Sequence, residues 1–496
     1  MNEFEYTADL GFGFGGSASV GGLALFNLLM SDPEVVKSLQ ATGTLPKVGP
    51  GIDAAGVEDL TSVMALAEVR EEQLYLWREI PKVGAHDLVI QGTRMDRTHG
   101  NYYARGFIGT NSSGNVSDPR LARYTQEIKF MAVKGQVTLP TQFARYVTQT
   151  GIKDNSAMQI AEDAAMLTLL KLQEWAIPFA DASVDASEYN GIYAQIAPQA
   201  DADNGILWDL RGLPPDKDFL EALSERASIN SASPTHFHIP APVRRDLRQS
   251  LFPQFISEEA YRGAVGVRFD QYMVETLAGG ESMLKIRRNQ MMTLGVKDGM
   301  PRYVPTLVSP NAPSAVSAVG GAFAAHTATD DAPGVAAGTY YYSVVAVGEG
   351  GAAAATASGG IVNGTAGFKA QLTITCTDPD VSCFMVFRNP EGVSGVSASN
   401  RQFMCRVART GNVTAWEDTG YWLPGCSQAA YLSQRPDELR WRQLMPIMKR
   451  PLPQGLMDNT FGILHFGTVE LPAPTHHIWI KNIGERVQSG VRATSR

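Results

Sequence analysis

Asn155-Ser-Ala-Met-Gln-Ile-Ala-Glu-Asp-Ala-Ala-Met-Leu-Thr-Leu-Leu-Lys-Leu-Gln-Glu-Trp-Ala-Ile177 carries the clearest periodicity in the chain. Met158, Ala161, Ala165, Leu169, Leu172 and Ala176 recur at three- and four-residue steps, the spacing of one helix face. Asp154 or Asn155 can cap its start, and Pro178 follows its end. At 1.5 Å per residue this is a stiff helix of about 35 Å. The sequence before it is extended instead. Leu88-Val-Ile90, residues 102–108 and residues 127–139 have strand character, the last alternating through Ile128, Phe130, Ala132 and Val137. Between them Gly109-Thr-Asn-Ser-Ser-Gly-Asn-Val-Ser-Asp-Pro119 is a polar loop tip. Two long arms around such a tip predict an extended hairpin, which has little core of its own and must lie on something else.

Further upstream, residues 56–78 read as a helix through Leu60, Val63, Met64, Ala67, Leu74 and Leu76, stopped by Pro81. The first fifty residues are rich in Gly, Ser and small apolar residues. Gly11-Phe-Gly-Phe-Gly-Gly16 has the spacing of a dinucleotide loop but lacks the strand that must precede one. An arm that orders against neighbours is the better reading.

Downstream, residues 187–303 are mixed. Helices are expected over 216–227 and after Pro242, where Val243, Leu247 and Leu251 share a face, and a strand over 265–269. From about 306 to 434 the chain turns Gly-, Ala-, Ser- and Thr-rich and poor in charge. Tyr340, Tyr342 and Val344 alternate, as do Leu372 and Ile374, Phe384 and Val386, and Phe403 and Cys405. Turns recur at Gly350-Gly351, Asn389-Pro390 and Gly411-Asn412. Short strands with regular turns predict a β-sandwich. The mixed pattern then resumes, with a helix expected over 440–448 and strands over 463–471 and 477–481. The sandwich therefore interrupts another domain. As an independent insertion it should bury its surface mostly internally and leave a foldable subunit when residues 306–434 are deleted.

The totals narrow the function. A chain of 496 residues exceeds one ordinary core, so two to four domains are expected. The formal net charge of −8 argues against a protein that wraps nucleic acid tightly. The apolar run 17–30 is too short to span a bilayer, and no basic residue precedes Lys37, so neither a membrane span nor a signal peptide is expected. Cys376, Cys383, Cys405 and Cys426 form no CxxC pair and read as buried free thiols rather than a zinc site. His236-Phe-His238 and His476-His477 have no third ligand nearby in sequence and read as packing or capping residues. There is no GxSxG, HExxH or P-loop motif. Glu162 and Asp163 are adjacent on the helix and cannot form a carboxylate dyad on one face. No catalytic site, cofactor or metal is expected.

Several stretches carry a resemblance. Leu76-Trp-Arg-Glu-Ile-Pro-Lys82 leads into the hairpin. Residues 264–284 include Val267-Arg-Phe-Asp270. Phe461-Gly-Ile-Leu-His-Phe-Gly467, Leu471-Pro-Ala-Pro474 and Ile480-Lys-Asn-Ile-Gly484 lie near the end. Together with the order of elements they resemble the major capsid proteins of tailed bacteriophages. Gly338-Thr-Tyr-Tyr-Tyr-Ser-Val-Val-Ala-Val347 and Phe387-Arg388 are similar to the immunoglobulin-like modules of phage structural proteins.

The resemblance implies an α+β Hong Kong 97-type capsid fold plus an all-β immunoglobulin-like sandwich. Its parts would be an N-terminal arm and helix (1–83), an E-loop hairpin (84–136) and a peripheral domain with a spine helix (137–186). An axial domain (187–305), the insertion (306–434) and a return to both domains (435–496) would follow. It implies a subunit that assembles with itself as hexamers and pentamers into an icosahedral head shell. The shell would form in the host cytoplasm and enclose double-stranded DNA, contacted on the inner face without sequence specificity. Portal, scaffolding or cementing proteins would be further partners. An encapsulin-like compartment and a phage tail or adhesion protein are the alternatives. Some relatives cross-link a hairpin lysine to a neighbour's asparagine. Here Lys129 and Lys134 lie at the hairpin's base and the tip 111–118 has no lysine, so no cross-link is expected.

In that fold the hairpin lies across the next subunit, and the charges suit it. Over 84–136, Arg94, Arg97, Arg105, Arg120, Arg123, Lys129 and Lys134 outnumber Asp87, Asp96, Asp118 and Glu127. Over 153–188 the bias reverses, with Asp154, Glu162, Asp163, Glu174, Asp181, Asp185 and Glu188 against Lys153 and Lys171. The expected contact pairs Arg94, Arg97 and Arg105 with Glu162, Asp163 and Glu174.

Overall fold

A computed structural model describes residues 73–97, 120–138, 157–200, 204–216, 218–251, 271–275, 281–292, 300–325, 334–393, 396–453 and 458–485. The arm 1–72, the strand expected over 102–108, the hairpin tip and the strand expected over 265–269 lie outside these residues.

The long helix, α2 (Ala157–Phe179), is present, with Pro178 inside its last turn. It packs on a four-stranded sheet ordered β1 (Lys82–Gly84), β19 (Arg440–Pro451), β20 (Asp458–Glu470) and β4 (Lys129–Thr138). Met131 and Val133 of β4 and Phe461 and Ile463 of β20 meet Ala165 and Leu169 of α2. Gly135 makes room for the Phe461 ring, which a Cβ there would approach to 2.2 Å. The expected helix face needs one correction. Leu172 is exposed, whereas Leu170, Gln173, Glu174 and Ile177 are buried. Over its second half α2 is covered on two sides, by the sheet and by the short helices α1 (Tyr75–Glu79) and α3 (Ile192–Ile196). The helix expected over 56–78 is thus only a single turn where it is described, starting after a non-helical Leu74.

The hairpin is also corrected. Its arms are β2 (Val89–Arg97) and β3 (Arg120–Glu127), paired from Val89↔Glu127 to Arg97↔Arg120. The stretch 127–139 does not return the hairpin. β4 pairs with β20 along its whole length, and the alternation breaks at Ile128, which is buried while Phe130 is exposed. Residues 440–448 form strand, not helix. Pro446 sits where the β19 register shifts, a position a strand tolerates and a helix interior does not.

A six-stranded sheet forms the second body, ordered β5 (Leu207–Asp209), β21 (Ile478–Ile483), β18 (Ser427–Leu432), β6 (His236–Ile239), β8 (Glu281–Arg288) and β7 (Gln271–Glu275). Helices α4 (Phe219–Ile229) and α5 (Ala241–Leu251) cover it through Leu220, Leu223, Val243 and Leu247. The β7–β8 pair begins within the stretch 264–284 quoted above.

Residues 318–418 build two sheets. One is ordered β12 (Gly351–Ala357), β11 (Tyr342–Gly348), β15 (Val381–Arg388) and β16 (Gln402–Ala408). The other is β17 (Val413–Asp418), β14 (Lys369–Thr375) and β9 (Ala318–Ala324). The short pair β10 (Gly338–Tyr340) and β13 (Ile361–Asn363) lies beside them. Val344, Phe384 and Val386 of the first sheet pack on Leu372 and Ile374 of the second. Arg388, Asp418 and the Tyr342 hydroxyl form a buried charged network between the sheets.

The sandwich is as expected, but three details are not. In the constant-type immunoglobulin order the first and last strands lie on opposite sheets, whereas β9 and β17 share one. The boundary at 434 is too late, because β18 lies in the middle of the six-stranded sheet. Nor is the burial only internal. Val345, Phe387 and Phe403 form a core with Met300, Trp175 and Phe179. Arg406 donates to both Glu188 carboxylate oxygens, at 2.6 and 3.1 Å, and lies over the Trp175 ring. The four cysteines are free, three of them buried.

Candidate assembly interface

The root of the hairpin is fixed by side chains of the four-stranded sheet. Tyr124 of β3 donates to Glu470 Oε1 at 2.8 Å, and Gly92 leaves the room its ring needs. Burial and the Glu470 carboxylate push the Tyr124 hydroxyl up to about 12, so it stays a donor. Arg440 and Arg442 pair with the same Glu470, whose pKa is held below the usual range by these partners despite burial. Ile90 and Ile128 pack with Leu444 and Phe466.

The six residues expected at the interface fare differently. Arg94 donates to Gln199 Oε1 at 2.6 Å within the same chain. Arg105 and the Arg97 side chain lie outside the described residues. Glu162 pairs with Lys449 of β19. Asp163 is exposed. Glu174 is not a surface charge at all. It is buried, and its carboxylate accepts from the backbone N–H groups of Leu76 (3.1 Å) and Trp77 (2.7 Å). Burial pushes its pKa up to about 7, against those two hydrogen bonds. The acidic bias of residues 153–188 is therefore partly spent inside the subunit.

An apolar surface was missed. Phe130↔Phe466↔Met445 align across β4, β20 and β19 on the sheet face away from α2, and Ala132↔Leu464↔Met448 form the next row. The Phe130 and Phe466 rings meet edge to face at 4.9 Å. Phe130 is 61% exposed and Met445 38%. Lys134 and Arg450, both exposed, flank Gly462 in the following row. On the hairpin, Leu88, Val89 and Leu121 are exposed as well. The signal was present in β4, whose sequence is apolar at both odd and even positions.

The histidine pairs make ring-stacking and hydrogen-bond contacts within the subunit. The His236 and His238 rings stack at 6.2 Å. Burial lowers His238 to about 3 and His477 to about 4. His476 lies 2.9 Å from Glu438. Among the described residues no group of three or more His, Cys, Asp or Glu side chains could hold a metal.

No protein-family model matches the chain. The major capsid protein of Staphylococcus phage S25-3 is 21% identical over 461 residues, spanning 91% of this chain and 95% of that protein. That of Staphylococcus phage K matches with the same identity and coverage. Over most of its length the chain is similar to phage major capsid proteins. Among solved structures, one from Mycobacterium phage Ogopogo covers 89% of this chain and 98% of its own, at 10% identity and a TM-score of 0.42. The holo-SrpI encapsulin complex of Synechococcus elongatus PCC 7942 covers 87% and 95%, at 8% identity and a TM-score of 0.34. The weight rests on the phage relatives, whose match runs end to end and leaves no large part of either chain unmatched.

Proposed function

We propose that this chain is the structural, non-enzymatic subunit of a phage head shell. It assembles with itself as hexamers and pentamers around packaged double-stranded DNA. The end-to-end likeness to capsid proteins carries this reading. In it the parts take Hong Kong 97-type roles: β2–β3 is the E-loop, α2 the spine, and the six-stranded sheet the axial domain. The sandwich, immunoglobulin-like in its two-layer build though not in strand order, stands on the outer face, where a module of this size does not compete with DNA. Shell formation takes place in the host cytoplasm.

The subunit contact proposed here is more apolar than charge alone suggested. A neighbour's hairpin, with Leu88, Val89 and Leu121, covers the Phe130–Phe466–Met445 face. Its arginines, among them Arg97 and Arg105, steer it toward the exposed acidic positions such as Asp163. Surface pairs are each worth at most about 1 kcal/mol, so burial of the apolar rows supplies most of the affinity.

Electron microscopy of the purified assembly tests the function. Icosahedral shells are expected, and fibres or persistent monomers would overturn it. Closed shells packed with a host protein instead of DNA would favour the encapsulin-like alternative. Phe130→Asp with Met445→Asp should leave a folded, soluble subunit that forms no shells; normal shells would remove the apolar face from the contact. Shells boiled in denaturant should run as one band near 53.6 kDa, the subunit mass, and a ladder of multiples would show cross-linking.

A further inference from the structure

Helix α1 is fastened at two points by carboxylates. At one, Glu174 of α2 accepts the N–H groups of Leu76 and Trp77. At the other, α1's own Glu79 accepts from Arg287 of β8, at 2.6 and 3.2 Å, with His236 of β6 at 3.5 Å. The chain passes from α1 straight into β1 and β2, so α1 sets the root of the hairpin relative to both bodies.

The two points differ in kind. Glu79 is matched by a guanidinium and is partly exposed. Glu174 is 1% exposed, and no salt bridge reaches it among the described residues. The charged groups around it are Glu79, which opposes its charge, and the buried Lys171 one turn earlier on α2. Lys82 lies over the Trp77 ring beside it and His465 meets that ring edge to face, and Arg287 and His236 are occupied with Glu79.

We propose that α1 is a proton-operated latch: it seats on the spine helix when Glu174 is protonated and loosens from it when Glu174 loses the proton, while Glu79 keeps it tied to the six-stranded sheet. The sign follows from linkage. A carboxyl that holds its proton more tightly in the seated state than in water favours seating at low pH. The charged form gains two hydrogen bonds from backbone N–H groups but has little else to offset its desolvation. Loosening lets the carboxylate reach water. The latch is a property of the folded subunit; its consequence, that the hairpin root swings freely only above neutral pH, rests on the shell reading.

Amide hydrogen exchange on the unassembled full-length chain tests the latch without reference to shells. After correction for chemical exchange, protection of the 75–79 segment should fall by roughly 30-fold between pH 5.5 and 8.5. In Glu174→Gln it should be independent of pH. Glu79→Gln should lower protection at every pH and leave the pH dependence in place. A flat wild-type profile overturns the latch, as does a Glu174→Gln variant that keeps the wild-type profile. Should Glu174→Gln fail to fold, the wild-type profile decides alone. A pH-dependent assembly rate in wild type but not in Glu174→Gln would carry the consequence; shells that form equally fast at both pH values would overturn the consequence and leave the latch standing.

Discussion

Deleting residues 306–434 should destroy the subunit, although the sequence presents that segment as a self-contained insertion. The deletion removes β18, which pairs with β21 on one side and β6 on the other. Without it the six-stranded sheet splits into a two-stranded and a three-stranded piece. Ala429, Ala430, Tyr431 and Leu432 are each 1% exposed or less. Tyr431 and Leu432 alone represent about 3–6 kcal/mol of apolar burial. The backbone groups of β6 and β21 that lose partners add about 1–3 kcal/mol each where they stay buried. Against a typical total stability of about 5–15 kcal/mol, the loss is decisive. A shorter deletion, 310–420, spares β18 and should fold when the ends are joined by a flexible glycine-serine linker, though it uncovers Trp175 and Phe179. Urea unfolding followed by circular dichroism separates the two. The long deletion should show no cooperative transition, and the short one a transition at reduced midpoint. A long deletion that unfolds cooperatively at the wild-type midpoint would refute the central role given to β18.

Arg406→Ala should cost roughly 2 kcal/mol, because it strips Glu188 of a two-point partner in a largely buried site; Arg406→Lys should not restore the loss, since an ammonium cannot make both contacts. A midpoint unchanged from wild type would detach the sandwich from the segment after α2 energetically. Gly135→Ala should lower stability by about 2 kcal/mol through the clash with Phe461, read from the same urea curves; a neutral result would mean that the sheet relaxes there freely. Stability should fall as pH drops below about 6.5. Burial lowers His238 to about 3 and His236, His465 and His477 to about 4. The unfolded chain therefore takes up more protons as pH falls below the ordinary histidine value, and stability drops toward pH 4, by about 3 kcal/mol for the fully buried His477 alone. Glu174 acts with the opposite sign: its contribution is complete below the ordinary carboxyl value and is lost as pH rises through about 7. A urea midpoint that is flat between pH 4.5 and 6.5 would contradict the histidine part.

What the sequence discloses here follows the range of the physics. α2 and the short strands of the sandwich were legible because periodicity is local: 3.6 for the helix, 2 for the strands. Strand partnership is not local. Nothing within 127–139 says that β4 pairs with residues more than 300 positions away, and a nearby run of strand character was a plausible partner. β18 is as short and as poor in charge as the sandwich strands before it, so composition could not separate it from them. Residues 440–448 were different, because Pro446 already argued against a helix.

Charge shows the limit most sharply. Counting signs along 153–188 treats every carboxylate as solvated, yet Glu162 is spent on Lys449 and Glu174 on the backbone of α1. A helix carboxylate facing solvent and one capping another helix are written with the same letter. What distinguishes them is whether apolar neighbours occur on both sides of the helix. Leu170, Gln173 and Ile177 flank Glu174 on a second face that a single-stripe reading leaves to water. A glutamate inside such a second stripe should be read as a buried acceptor before it is counted as surface charge. Applied to this chain, that rule moves the expected contact from opposed charges to the apolar rows of Phe130 and Ala132. It also leaves Asp163, exposed one residue after Glu162, as the member of the acidic trio still able to meet a neighbour.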